Sequence, residues 1–141
     1  MTIRKGTAVW KGKLKDGHGT MKLESGAFEG NYSFSSRFED GKGTNPEELI
    51  GAAHAGCFSM ALSHGLAEAG YIPDEISTAA QVKLIKGEDG FKITKIILNT
   101  EGKVASISKE DFLKHAEDAK TGCPVSQALK AVDIELNAKL L

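Results

Sequence analysis

Between Leu49 and Ala67 the chain carries no Asp, Glu, Lys or Arg, and this uncharged run limits the fold more than any other feature. Its length is close to that of a membrane span. Its content is not: His54, His64, Ser59, Ser63 and several Gly and Ala make transfer into lipid unfavourable beside a Leu/Ile/Val-rich segment. A buried helix accounts for both observations, with small or apolar residues on every side because it is packed on every side. The helix start is written just ahead of it. Thr44 or Asn45 caps, Pro46 takes the first turn where its missing N–H is harmless, and Glu47 and Glu48 face the positive end of the dipole. The helix runs to about Ala69 and stops at Gly70, with Pro73 soon after.

Around this helix the pattern is that of strands. Thr7–Trp10, Thr20–Leu23 and Phe28–Phe34 are short β-prone runs divided by Gly12, Asp16-Gly17, Gly19 and Ser25-Gly26, which predicts an antiparallel meander. Arg37 stands at the end of the third run, before the break at Asp40-Gly41-Lys42-Gly43. Beyond the helix, Ile76–Ile85 and Phe91–Thr100 flank a glycine-bearing hairpin, Lys86-Gly87-Glu88-Asp89-Gly90. Ser108 then caps a second helix with Phe112, Leu113, Ala116 and Ala119 as its apolar stripe and Gly122 at its end. Cys123-Pro124 opens a short third helix to about Lys130, and Val132–Leu136 alternates as a last strand. Strands, helix, strands, helices and strand, without regular βα alternation, predict an α+β fold.

Size and charge narrow the function. A chain of 141 residues with 40% apolar content is expected to form one folded unit, 1–141, with a core that needs no disulfide scaffold. Its 18 basic and 19 acidic residues are dispersed, giving a net charge of −1. Such a surface carries no footprint for a phosphate backbone or an anionic membrane, so neither nucleic acid nor membrane is expected as a partner. The N-terminus lacks the apolar core of a secretory signal, which predicts a cytoplasmic protein, where exposed thiols stay reduced.

The two cysteines are the residues with chemistry in that setting. Cys57 lies in the middle of the apolar helix, where a cysteine is commonly a small buried hydrophobe, and it needs a cation to become reactive. His54, three residues earlier on the same face, and Arg37 are the candidates; their ordinary readings are a packing histidine and a surface strand charge. Cys123 sits at a helix start, where unpaired N–H groups favour a thiolate. Local reasoning does not order the pair, since a stabilised thiolate also suits a resolving cysteine.

Three segments carry a resemblance. Arg37-Phe38-Glu39, the string from Gly43 to Ala61 with its Ala53-His54-Ala55-Gly56-Cys57 centre, and Gly122-Cys123-Pro124-Val125-Ser126 resemble the osmotically inducible protein C family, closer to its OsmC subgroup than to the organic hydroperoxide resistance (Ohr) subgroup. The resemblance spans essentially the whole chain. It implies an OsmC-like α+β fold with antiparallel sheets around two central helices, an intertwined homodimer, and a peroxidase acting on organic hydroperoxides. Residue by residue, it makes Cys57 the attacking cysteine, Cys123 the resolving one, Arg37 the residue that stabilises the thiolate and Glu47 the carboxylate that holds the arginine. Such chemistry is carried by sulfur, so no cofactor or metal is expected. The disulfide it leaves needs an external dithiol reductant, of the lipoyl type by extension from the hydroperoxide resistance relatives.

Helix geometry adds a condition. Glu47 and Cys57 are ten residues apart, about 15 Å along a straight helix and about 80° apart around it. For both to serve one site, either the helix is broken between them or Arg37 and Glu47 come from a second subunit; the second alternative is expected. Phe34, Phe38, Phe58, Met60 and Leu66 are candidate apolar walls that would favour hydrocarbon-bearing hydroperoxides, and each also reads as core. Three competing readings stay open. They are a metal site using His54, Cys57, His115 and Cys123, a non-enzymatic binder of lipid-like molecules, and a protein thiol–disulfide oxidoreductase, which lacks its Cys-x-x-Cys motif.

Overall fold

In the computed structural model, which describes residues 1–141, the β-prone runs of the first third form β1 (Gly6–Lys11), β2 (His18–Leu23) and β3 (Glu29–Ser33). They pair as the expected antiparallel meander, in the order β1-β2-β3. Gly19 lies opposite both Trp10 and Tyr32, and a Cβ there would come within 2.7 Å of the Tyr32 ring and 2.9 Å of the Trp10 ring. Its missing side chain lets the two rings meet across the sheet, 5.1 Å between centroids.

The third strand ends earlier than the sequence pattern predicts. Phe34–Phe38 is a short helix, α1, and Arg37 lies on it rather than at a strand end. The cause is local: the Ser36 N–H donates to Ser33 Oγ at 3.1 Å and the Ser33 N–H to Ser36 Oγ at 2.8 Å. This reciprocal cap satisfies backbone donors that a strand would have left for a neighbour. Gly43 then takes φ +122°, and a Cβ on it would stand 2.6 Å from the Asn31 carbonyl oxygen. Only glycine fits.

These elements, with the first turn of the next helix, form a compact unit, Met1–Leu49; Ile50–Leu141 is a second. The helix, α2 (Pro46–Glu68), is unbroken. Of the two candidate caps Asn45 serves, its Oδ1 accepting the Glu48 N–H at 2.8 Å. In the second unit α2 buries one stripe, His54, Phe58, Leu62 and Leu66, each fully inaccessible and spaced one turn apart. The expectation of burial on every side does not hold within one chain. Ala52, Ala53, Gly56, Met60 and Ala67 are exposed, because the rest of the unit covers α2 from one side.

β4 (Pro73–Gly87) and β5 (Gly90–Val104) form the predicted hairpin and extend beyond both predicted runs. After α3 (Lys109–Gly122) and α4 (Pro124–Ala128), β6 (Asp133–Leu140) joins β5 in parallel, with Ile96 opposite Ile134 and Leu98 opposite Leu136. The second sheet is therefore mixed rather than wholly antiparallel. A parallel neighbour requires a crossover, and the two helices supply it. Phe112, Ala116 and Ala119 of α3 join Phe58, Leu62 and Leu66 of α2 and Ile96 and Leu98 of β5 in one core. The result is α+β, as the element order predicts. No helix is long and apolar enough to cross a membrane.

Candidate active site

The first unit prepares a cation. Arg37 Nε donates to both Glu47 oxygens, at 3.0 and 3.2 Å, and a terminal nitrogen donates to Oε1 at 2.6 Å. The Glu47 side chain is only 10% exposed and that of Arg37 32%, so the pair is largely withdrawn from water and its fork geometry fixes the guanidinium plane. Neighbouring bonds hold both ends. The buried Ser36 hydroxyl donates to the Thr44 carbonyl at 2.7 Å, the Thr44 N–H to the Asn31 carbonyl at 2.8 Å, and the Asn45 amide to the Ser36 carbonyl at 3.1 Å. α1 is thereby tied to the residues that begin α2, and Arg37 to Glu47.

Arg37 also borders a cleft of about 210 Å³ whose other walls are Trp10, Leu14, Tyr32, Ser33, Phe34 and Phe38. The guanidinium carbon lies 5.2 Å from the centre of the Phe38 ring. A charge beside an apolar cleft is the combination expected for a ligand with a polar reacting end and a hydrocarbon body.

The second unit prepares the sulfur. Both cysteines are free thiols, Cys57 half-buried on α2 and Cys123 fully buried between α3 and α4. Cys123 ends one helix and caps the next. Its N–H donates to the Ala119 carbonyl at 3.0 Å, and its sulfur accepts the Ser126 N–H at 3.4 Å. Cys57 faces this junction. Burial pushes its thiol up, the Val125 N–H pulls it back by hydrogen bonding to the sulfur, and the adjacent Cys123 thiol raises it again. The two thiols thus meet as partners, while no cation is among the groups that act on Cys57. Within its own unit Cys57 is a neighbour for a disulfide but not an activated nucleophile.

His54 does not take the role of activating cation. It is fully buried, its Nε2 lies 2.7 Å from the Ser126 hydroxyl, and burial lowers its pKa, which favours the neutral ring. Of the candidate walls, Phe58 and Leu66 are core, Met60 is 76% exposed, and only Phe34 and Phe38 line the cleft beside Arg37. Sequence reasoning missed Ser126 and Val125. Their signal was Pro124 after Cys123, which marks a helix start and so places the next N–H groups around the sulfur.

An α+β chain with two thiols brought together at a helix junction, and an arginine held by a buried carboxylate, belongs to the class of cysteine-based redox proteins. Residues 39–137 match the sequence profile described as OsmC-like protein. The chain is 54% identical to Peroxiredoxin OsmC of Escherichia coli strain K12 over 142 aligned positions, 99% of each chain. It is 34% identical to the organic hydroperoxide resistance protein OhrB of Bacillus subtilis over 109 positions, 74% of this chain and 76% of the other. The crystal structure of the OhrB protein of that organism superposes with a TM-score of 0.72 at 25% identity, covering 96% of this chain and 98% of that one. The chain belongs to the OsmC-like protein family and is a cysteine-based peroxidase.

Proposed function

We propose that this protein reduces organic hydroperoxides to alcohols, with Cys57 attacking and Cys123 resolving, the two units acting as one OsmC-like domain in a cytoplasmic homodimer. The observation that carries the reading is the meeting of the two free thiols, with Cys57 facing Cys123 and the Val125 N–H. Relatives support the substrate class: the OhrB protein of Bacillus subtilis is named for organic hydroperoxide resistance. The apolar cleft beside Arg37 supports it from the chain's own residues.

The Cys57 thiolate attacks the terminal peroxide oxygen, the O–O bond breaks, and the alkoxide leaves to take up a proton. A guanidinium aimed at the site stabilises the thiolate before attack and the oxygen charge during it. The sulfenic acid condenses with Cys123, releasing water and forming a disulfide that an external dithiol, of the lipoyl type, reopens. In this reading Arg37 and Glu47 serve the Cys57 of a second copy. The unbroken course of α2 supports that alternative over a break between Glu47 and Cys57. So does the absence of a cation acting on Cys57 in its own unit.

Steady-state reduction of tert-butyl and lipid hydroperoxides, set beside hydrogen peroxide, tests the proposal, with dihydrolipoamide, thioredoxin and glutathione as alternative reductants. Faster turnover of the organic substrates and its loss in Cys57→Ser are expected. Unchanged peroxide consumption in that variant would contradict it.

A further inference from the structure

Among the four histidines only His54 is buried, and the attack of Cys57 on peroxide does not use it. Of its two ring nitrogens, Nε2 has a partner, Ser126 Oγ at 2.7 Å, and Nδ1 has none. An apolar side chain of similar shape would fill the same space without a polar atom left unpaired. Packing alone therefore does not explain a histidine at this position.

The partner explains more. The Cys123 thiol donates to Ser126 Oγ at 3.1 Å. A serine hydroxyl has one proton and two lone pairs, so with Oγ accepting the S–H its own O–H is free to point at the histidine Nε2 in the tautomer that carries its proton on Nδ1. In that tautomer the neutral ring offers a lone pair at Nε2, and it is the one the relay requires. The titratable groups on this side are Cys57 of α2 and Cys123 of the α3–α4 junction. No charged side chain acts on the ring, and burial alone holds it neutral.

The geometry points to a buried relay in which Ser126 receives the proton of the resolving thiol Cys123 and His54 receives that of Ser126 when the disulfide forms. The inference rests on the proposed roles of the two cysteines and adds residues to their second step. As Cys123 Sγ bonds to the Cys57 sulfenic sulfur, its proton passes to Ser126 Oγ and the serine proton to His54 Nε2. The S–O bond of Cys57 breaks, and the hydroxide takes a proton from solvent to leave as water. The imidazolium then returns its proton to solvent. Cys57 sulfur is reduced, Cys123 sulfur is oxidised, and the net products are one disulfide and one water. Ser126 touches the reacting sulfur; His54 acts through it as a positioning residue and proton acceptor. Without the pair, the fully buried Cys123 would have no partner to take its proton as it attacks.

Single-turnover kinetics separate the steps. Reduced full-length protein is mixed with one equivalent of tert-butyl hydroperoxide and quenched in acid, and mass spectrometry resolves the Cys57 sulfenic acid from the Cys57–Cys123 disulfide. Ser126→Ala and His54→Gln are expected to slow condensation by about 10- to 100-fold, the scale of a lost acid–base group. Formation of the sulfenic acid should stay within about twofold, since neither Ser126 nor His54 is among the groups that act on the Cys57 thiol. Condensation in the parent should be nearly flat from about pH 7 to 9, and in both variants it should climb steeply with pH as hydroxide replaces the relay. Ser126→Thr, which keeps the hydroxyl, should restore most of the rate. If His54→Gln does not fold, as judged by circular dichroism, Ser126→Ala and Ser126→Thr decide alone. Condensation at the parent rate and pH profile in Ser126→Ala would overturn the relay, as would equal slowing of both steps. Absence of both the Cys57 sulfenic acid and the Cys57–Cys123 disulfide in the parent would overturn the proposed function itself, and the relay with it.

Discussion

Arg37 meets Glu47 through both carboxylate oxygens, so its charge and its orientation are set together. Arg37→Lys keeps the charge and loses the fork. The expected outcome is a fall in kcat/KM of about 100-fold or more with the circular dichroism spectrum preserved, since one preorganised charge contributes on that scale. Arg37→Met removes the partner of a nearly buried carboxylate and should also lower unfolding free energy by about 1–3 kcal/mol, read by urea titration. At His54 the sign of a pH effect follows from burial. The folded-state pKa of His54 lies below its ordinary value, so the unfolded chain binds the extra proton first. Its contribution to stability is fully present above about pH 6.5 and is lost as pH falls through the lowered folded value. His54→Gln should flatten the acid limb of a stability–pH curve over that window. At this scale motif resemblance singled out Cys57, Cys123, Arg37 and Glu47, and the structure pairs Arg37 with Glu47 and brings Cys57 to Cys123. Ser126 escaped because a serine after Cys-Pro looks like any polar first-turn residue until His54, 72 positions away, is seen to meet it.

Elements deliver those residues, and here legibility follows signal length. α2 was readable because its start carries a cap, a proline and two acids, and its interior has no charge. α1 was not: its five residues are too few for a helical period, and its capping serines occur equally in turns and strands. The direction of β6 was equally hidden, since alternation specifies a strand's faces and not which way its neighbour runs. In the loop between α1 and α2 stands Gly43, at φ +122° and with the Asn31 carbonyl oxygen 2.6 Å from where a Cβ would be. Gly43→Ala is expected to cost about 1–3 kcal/mol and to depress peroxidase turnover by displacing Glu47 from Arg37. Thermal melts and steady-state assays on the same sample check both. Trp10→Ala, which opens the cleft beside Arg37, should raise KM for a bulky hydroperoxide by about tenfold, while hydrogen peroxide is hardly affected.

A single copy of the chain leaves much apolar surface uncovered. Met60 is 76% exposed, Ile72 73% and Val9 54%, and β1 is exposed along nearly its whole length. Surface of this kind is what a second copy would cover, and the same association would supply Cys57 with the cation that its own unit lacks. Burial raises the Cys57 thiol, so a lone chain should react slowly with iodoacetamide at neutral pH, and its assembled form faster. On the proposed function, the Arg37 and Glu47 of one copy activate the Cys57 of another. Mixing Arg37→Met with Cys57→Ser tests it most directly, because each variant alone is inactive and exchanged pairs contain one intact site only if the residues act across the interface. After verified subunit exchange, hydroperoxide turnover should recover to about a quarter of the parent value, half of the pairs being mixed with one working site each. No recovery in a fully exchanged sample would contradict the account.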